Sequence, residues 1–243
     1  MKPHDPDRIC GTAAVAATFR ARPAAVLRLF YTPQRRPEAG RLCAILARAK
    51  KPYREVPPEE LERIAGTPHH GGLVAVVHPR PLPLLNNLPF PKILFEAPVL
   101  PILDGIGNPH NLGAIARTAA FLGCRAMLLS ADPRQATIAD SAWRTSEGAL
   151  ESLEVFKVPD LPGLLRALAA HMPILAAVPS GGTAPGESGG NRPVALVLGN
   201  EEHGIPEATL AACTGRVSLK GSGAVESLNV STAAAILIHA LAK

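Results

Sequence analysis

The chain has 243 residues, 47% of them hydrophobic and 19% charged, the content of a folded protein with one or two cores. No apolar run is long enough to span a bilayer, and the opening MKPHDPDRIC lacks an apolar signal core, so a cytoplasmic protein without a membrane partner is expected. The net charge of +5 is uneven: residues 1–97 carry 15 Lys and Arg against 8 Asp and Glu, whereas residues 98–243 carry 10 against 12.

A basic first part joined to a slightly acidic second part points to a polyanion partner for the first. Only 4% of residues are aromatic, so phosphate contact is a better expectation than base stacking. Cys10, Cys43, Cys124 and Cys213 form no Cys-x-x-Cys pair, which argues against a zinc site or a disulfide framework.

In chain order, residues 11–22 read as a helix, 24–32 as a strand and 38–51 as a helix with Leu42, Ile45 and Leu46 on one face. Residues 57–65 open with prolines and acids suited to a helix start, and 71–77 read as a buried strand. This makes a small α/β domain over 1–80. Residues 81–97 are proline-rich and read as a semi-rigid linker, with Leu84, Leu85, Leu88 and Phe90 available to pack.

Residues 98–243 alternate more regularly. Strands are expected at 99–106, 125–130, 153–158, 173–179, 194–199 and 215–219. Helices are expected at 111–123, 141–150, 161–171 and 205–213, with a last helix ending the chain. Residues 180–192 are a loop by composition. Strands separated by helices imply a mainly parallel sheet covered on both faces, with ligands outside the carboxyl ends of its strands.

Three stretches at such strand ends carry the candidate chemistry. The first is Asn111-Leu-Gly-Ala-Ile-Ala-Arg117, where Gly113 leaves room early in the helix and Arg117 lies about one turn above its start. The second is Gly199-Asn-Glu-Glu-His-Gly204. The third runs from Gly221 through Ser222, Gly223, Glu226 and Ser227-Leu-Asn-Val230 into the last helix, where Ser227 or Asn229 suits the N-cap. None is a Walker loop or a G-x-G-x-x-G fingerprint. Asn111 reads equally as a cap, and Glu226 as a first-turn acid at the helix dipole. His110 and His203 are titratable loop residues, and Trp143 reads as a packing residue.

Together, in this order and over residues 99–243, the three boxes resemble the SpoU (TrmH-type) family of RNA ribose 2′-O-methyltransferases. Gly11 to Val15 and the run His69-His-Gly-Gly-Leu-Val-Ala75 look like the substrate-binding domain attached to many members. Two positions depart from the family pattern. Lys220 and Gly221 stand where a Pro-Met pair is usual, and Asn108 stands where an acid is common.

The resemblance implies a trefoil-knotted α/β methyltransferase domain, homodimeric, without a metal, preceded by an α/β RNA-binding domain. It implies S-adenosyl-L-methionine held mostly by backbone groups around Leu198, Gly199, Gly204, Ile205, Leu219, Gly221, Ser222 and Leu228. The family's base corresponds to Arg117. Because arginine stays protonated in nearly all settings, gripping a phosphate and stabilising a developing alkoxide suit it better. Asn111 and Asn229 would orient Arg117 or the ribose. Glu201 would hold Arg117 or accept a proton, and Ser227 would cap the helix and touch the substrate. The expected activity is methylation of a ribose 2′-hydroxyl in rRNA or tRNA. Its rivals are base N-methylation and a non-catalytic RNA-binding or ribosome-assembly protein on the same fold.

Overall fold

A computed structural model describes residues 5–86, 88–188 and 193–243. They form two compact units, 5–81 with 138–152, and 82–137 with 153–243. The tail of the 180–192 loop falls on residues 189–192, outside the described ones.

The first unit runs β1 (Asp7–Cys10), α1 (Thr12–Ala21), β2 (Val26–Tyr31), α2 (Arg36–Arg48), β3 (Tyr53–Glu55), α3 (Pro58–Ala65) and β4 (Leu73–Val77). Its sheet has the order β1-β4-β2-β3. β4 is antiparallel to both neighbours, and β2 and β3 are parallel. Strands β1 and β3 were not expected from the sequence. They are four and three residues long, too short to show a period, and the ladder to β4 or β2 is what makes them strands.

Residues 138–152 belong to this unit. Here α5 (Asp140–Ser146) packs on β1, and a 3-10 turn over Ala149–Glu151 packs on α1. The helix expected to reach residue 150 stops at Ser146. Glu147 and Gly148 turn left-handed there, and a Cβ on Gly148 would lie 2.5 Å from the Ala17 side chain. Glu151 is anchored by the half-buried Arg22 guanidinium at 2.8 Å, and the Thr18 hydroxyl donates to the same carboxylate. Arg22 also lies over the buried Trp143 ring.

The second unit holds six parallel strands: β5 (Val99–Asp104), β6 (Ala126–Ser130), β7 (Glu154–Val158), β8 (Ile174–Ala177), β9 (Val194–Gly199) and β10 (Gly215–Val217). Their order is β10-β8-β9-β5-β6-β7. The helices are α4 (Pro109–Phe121), α6 (Leu161–Leu168), the short α7 (Pro185–Ser188), α8 (Glu207–Ala211) and α9 (Val230–Leu241). β5 and β9 read as near-continuous apolar runs because the sheet is covered on both faces. Leu85 and Leu94 from the proline-rich stretch are buried in the core of this unit with Leu100, Leu128 and Leu165.

Candidate active site

The strand order reverses between β9 and β5, which pair in register from Val99–Val194 to Asp104–Gly199. Loops at such a switch point diverge and leave a crevice at the carboxyl edge. The first two sequence boxes leave the sheet at this edge. Just past the last pair, the Asn200 amide donates to the Gly105 carbonyl at 2.6 Å and ties the two loops together. Asn200 also closes its own turn. Its side-chain oxygen accepts from the backbone N–H of Glu202 and His203, and its backbone pairs with Gly204 in both directions at 3.0 Å. Gly199 must be glycine here, since a Cβ would meet the Gly204 carbonyl carbon at 2.5 Å and the Ile205 nitrogen at 2.6 Å. Gly204 supplies the positive φ that the turn needs.

Glu201 projects from this turn towards the first box. One carboxylate oxygen accepts from the Asn111 amide at 2.7 Å, and the other accepts from the Gly107 N–H at 3.2 Å. The Asn111 oxygen accepts from the Asn229 amide at 3.2 Å. Asn229 in turn caps α9, its side-chain oxygen taking the Ser231 N–H at 2.9 Å and the Ser231 hydroxyl at 2.6 Å. A single polar chain, Glu201–Asn111–Asn229, therefore joins all three boxes. Burial alone would raise the Glu201 carboxyl. The Asn111 amide and the backbone N–H groups of Glu201, Gly107 and Asn108 outweigh it, and the group sits below the ordinary glutamate range. It is an ionised acceptor that fixes which way the Asn111 amide faces.

Several placements differ from expectation. α9 starts at Val230 with Asn229 as its cap, so Ser227 does not cap it and Glu226 is not in its first turn; both lie in an exposed loop. The asparagine side chain satisfies the second N–H of the helix, which ends the competition between the two candidates. α4 is capped by Asn108, whose oxygen accepts from the His110 N–H at 2.9 Å, with Pro109 at its first position. Asn111 is thus an inward first-turn residue and not the cap. Arg117 stands about two turns into the helix instead of one, roughly 12 Å along the axis from Pro109. It is exposed, about 120° round the helix from the buried Asn111. Glu201 bonds the Asn111 amide and the Gly107 N–H.

Of the residues expected at the cofactor, Leu198 is buried at the end of β9. Gly199, Gly204 and Ile205 form the tight turn, and Leu219 is half-buried after β10. Gly221, Ser222 and Leu228 lie in the exposed loop 220–229. Across from it, residues 182–183 run along the end of β10. The Thr183 N–H donates to Arg216 O, the Ser218 N–H donates to Thr183 O, and a Cβ on Gly182 would meet the Val217 carbonyl carbon at 2.6 Å.

The sequence reading missed three contributors. Gln135 accepts the Ile106 N–H at 3.1 Å and donates to its carbonyl, pinning the first loop from outside. Asp132 holds Arg134 in a two-pronged pair, which pulls its carboxyl down to about 2. Buried Asp104 accepts from the Thr209 hydroxyl at 2.7 Å. None belongs to a motif. The Asp104–Thr209 contact joins residues 105 positions apart, which no local pattern could have indicated.

A parallel sheet with a polar chain at its switch point, together with a separate mixed-sheet unit, defines a two-module α/β protein. Residues 98–239 match the SpoU rRNA methylase family, and residues 8–83 match the RNA 2′-O ribose methyltransferase substrate-binding domain. The chain belongs to the SpoU rRNA methylase family. It is 32% identical to a 23S rRNA (guanosine-2′-O-)-methyltransferase, RlmB, of Acinetobacter baylyi, over 96% of each chain. In fold it is similar to an AdoMet-bound rRNA methyltransferase from Sinorhizobium meliloti, with TM-score 0.79 at 18% identity over 98% of this chain and 87% of that one. It is likewise similar to the SpoU methyltransferase AviRb from Streptomyces viridochromogenes, with TM-score 0.77 at 21% identity over 98% and 90%.

Proposed function

We propose that this protein transfers a methyl group from S-adenosyl-L-methionine to a ribose 2′-hydroxyl of ribosomal RNA in the cytoplasm. The observation that carries the reading is the Glu201–Asn111–Asn229 chain, because it assembles three boxes separated by up to 118 residues into one site at the sheet edge.

The residues present suit the cofactor. The turn at Gly199–Ile205 and the segment Val217–Leu219 bring backbone groups close together, held tight by the contacts that exclude a Cβ at Gly199 and Gly182. Leu198, Gly204, Gly221, Ser222 and Leu228 complete the proposed set. S-adenosylmethionine, when bound, supplies an electrophilic methyl group on a sulfonium. The chain's own residues do the rest. Ionised Glu201 orients the Asn111 amide, Asn111 and Asn229 position the ribose, and Ser227 contacts the substrate from its loop. Arg117 grips a phosphate and stabilises negative charge on the 2′-oxygen as the hydroxyl proton passes to water, and the cofactor would leave as the neutral thioether S-adenosylhomocysteine.

Arg117 leaves α4 about 120° round from Asn111, and the reading includes a second copy of the chain beside the site. The homodimer would form through the exposed sides of α4 and α9, where Phe121 is 88% exposed and Ile236 43%. The RNA is gathered by the first unit, and the chain would follow the knotted path of its family.

Calorimetry with S-adenosylmethionine, followed by mass mapping of methylated riboses in 23S ribosomal RNA treated with the protein, tests the reading. Micromolar-range cofactor binding and a methylated ribose are expected. A folded protein that binds RNA but no cofactor at millimolar concentration would replace the reading with a non-catalytic RNA-binding protein. A methyl group found on a base would replace it with base methylation.

A further inference from the structure

The sheet of the first unit has two unlike faces. Ile9, Ala75 and Leu29 are mutually in register and fully buried. On the other face, Cys10, Val74 and Phe30 form one in-register row, Cys10 and Val74 buried with Leu61 and Ala65 of α3 and Phe30 half-buried against them. The next row on that same face is Arg8, Val76 and Arg28, since side chains two residues apart share a face. Val76 is half-buried, and both arginines are exposed. The two arginines are two strand spacings apart, roughly 9.5 Å.

Four arginines of this unit are held in ion pairs, Arg22–Glu151, Arg35–Glu38, Arg36–Glu55 and Arg54–Glu60. Among the described residues, Arg8 and Arg28 make no side-chain ion pair. Asp140 takes the Arg8 backbone N–H at 3.4 Å and lies in the fields of Arg8 and Arg144. Arg8 and Arg144 therefore share one carboxylate, and Arg28 stands exposed in the same sheet row as Arg8. Arg54, stacked 5.9 Å over Phe30, continues the same face towards α3.

We propose that this open row, Arg8–Val76–Arg28, is the surface on which the first unit holds the phosphate backbone of its RNA, with Val76 against ribose. The inference rests on the functional reading above, which makes the partner RNA. Charge complementarity selects the backbone, and the scarcity of aromatics leaves little for base stacking.

The test is filter binding of full-length protein to a labelled transcript of 23S ribosomal RNA over a range of salt. The Arg8→Ala/Arg28→Ala variant should bind about tenfold or more weakly near 0.15 M salt, with the log–log salt slope reduced by about one to two. Arg8→Lys/Arg28→Lys keeps the charge and should keep the slope. Arg41→Ala/Arg48→Ala, two exposed arginines of α2, should bind like the parent. Thermal unfolding of each variant reports that the fold is intact. An unchanged slope in Arg8→Ala/Arg28→Ala, or an equal loss in the α2 variant, overturns the assignment. If the parent methylates this RNA while the sheet variant binds normally, the surface is wrong and the functional reading stands. If the parent binds with a slope that depends on Arg8 and Arg28 but transfers no methyl, the functional reading is wrong and the surface stands. A parent that neither binds nor methylates overturns both.

Discussion

The two sheets use polar residues in opposite ways. In the second unit the buried polar groups Asp104, Asn111, Ser130 and Thr209 cluster at the carboxyl edge of β5, β6 and the helices beside them. In the first unit the buried polar side chains are Thr18, Thr32 and Ser146, and those of Thr18 and Ser146 return hydrogen bonds to carbonyls four and three residues back in their own helices. Charge in the first unit lies outside, mostly in exposed pairs that contribute little to stability. A parallel sheet ends its strands together at one edge, so one site collects residues from distant boxes. A short mixed sheet has no such edge and instead offers a face. On the proposed reading, chemistry and RNA contact fall to different units for reasons of topology.

The largest expected effect lies in the first unit. Glu151→Ala leaves the half-buried Arg22 without its carboxylate and should destabilise by about 3 kcal/mol. Chemical denaturation should show the first unit unfolding earlier, while calorimetry of the variant retains cofactor binding. Loss of both together would break the division between units.

Next is Arg117→Ala, expected to lower single-turnover methyl transfer on the order of a hundredfold, with Arg117→Lys retaining part of the rate. Cofactor affinity should stay near the parent value in both. A fall in cofactor binding would place Arg117 on the cofactor side of the site. Mixing Arg117→Ala with Asn111→Ala subunits sharpens the test: recovered activity in the mixture is expected if each site draws on two copies. Light scattering should give about twice 25.4 kDa.

A smaller effect concerns pH. Glu201 is held below its ordinary value of 4.5, so its contribution to stability is present above that value and is lost as pH falls through the lower folded-state value. The melting-temperature gap between the parent and Glu201→Gln should be widest near neutrality and shrink on acidification. A gap that does not change with pH would mean the carboxylate charge contributes nothing. Smallest is Thr209→Val, which removes the hydroxyl from buried Asp104 and should cost about 1–2 kcal/mol in chemical denaturation without moving cofactor affinity.

Much was legible in the residues themselves. Apolar runs such as those of β5 and β9 announce a covered parallel sheet, and Gly199 and Asn229 announce a tight turn and a helix start, because backbone sterics and capping act over a few residues. The order of the three boxes pointed to the family before any contact was known. What tertiary structure alone decided has longer reach. Residues 138–152 fold with the first unit because Glu151 finds Arg22, 129 positions away, and α5 finds β1. β1 and β3 exist because a ladder partner is supplied from elsewhere in the chain. The Glu201–Asn111–Asn229 chain closes only where β9 and β5 lie side by side. Short-range sterics and hydrogen bonds can be read from neighbouring residues, whereas which distant groups meet depends on the free energy of the whole packed arrangement.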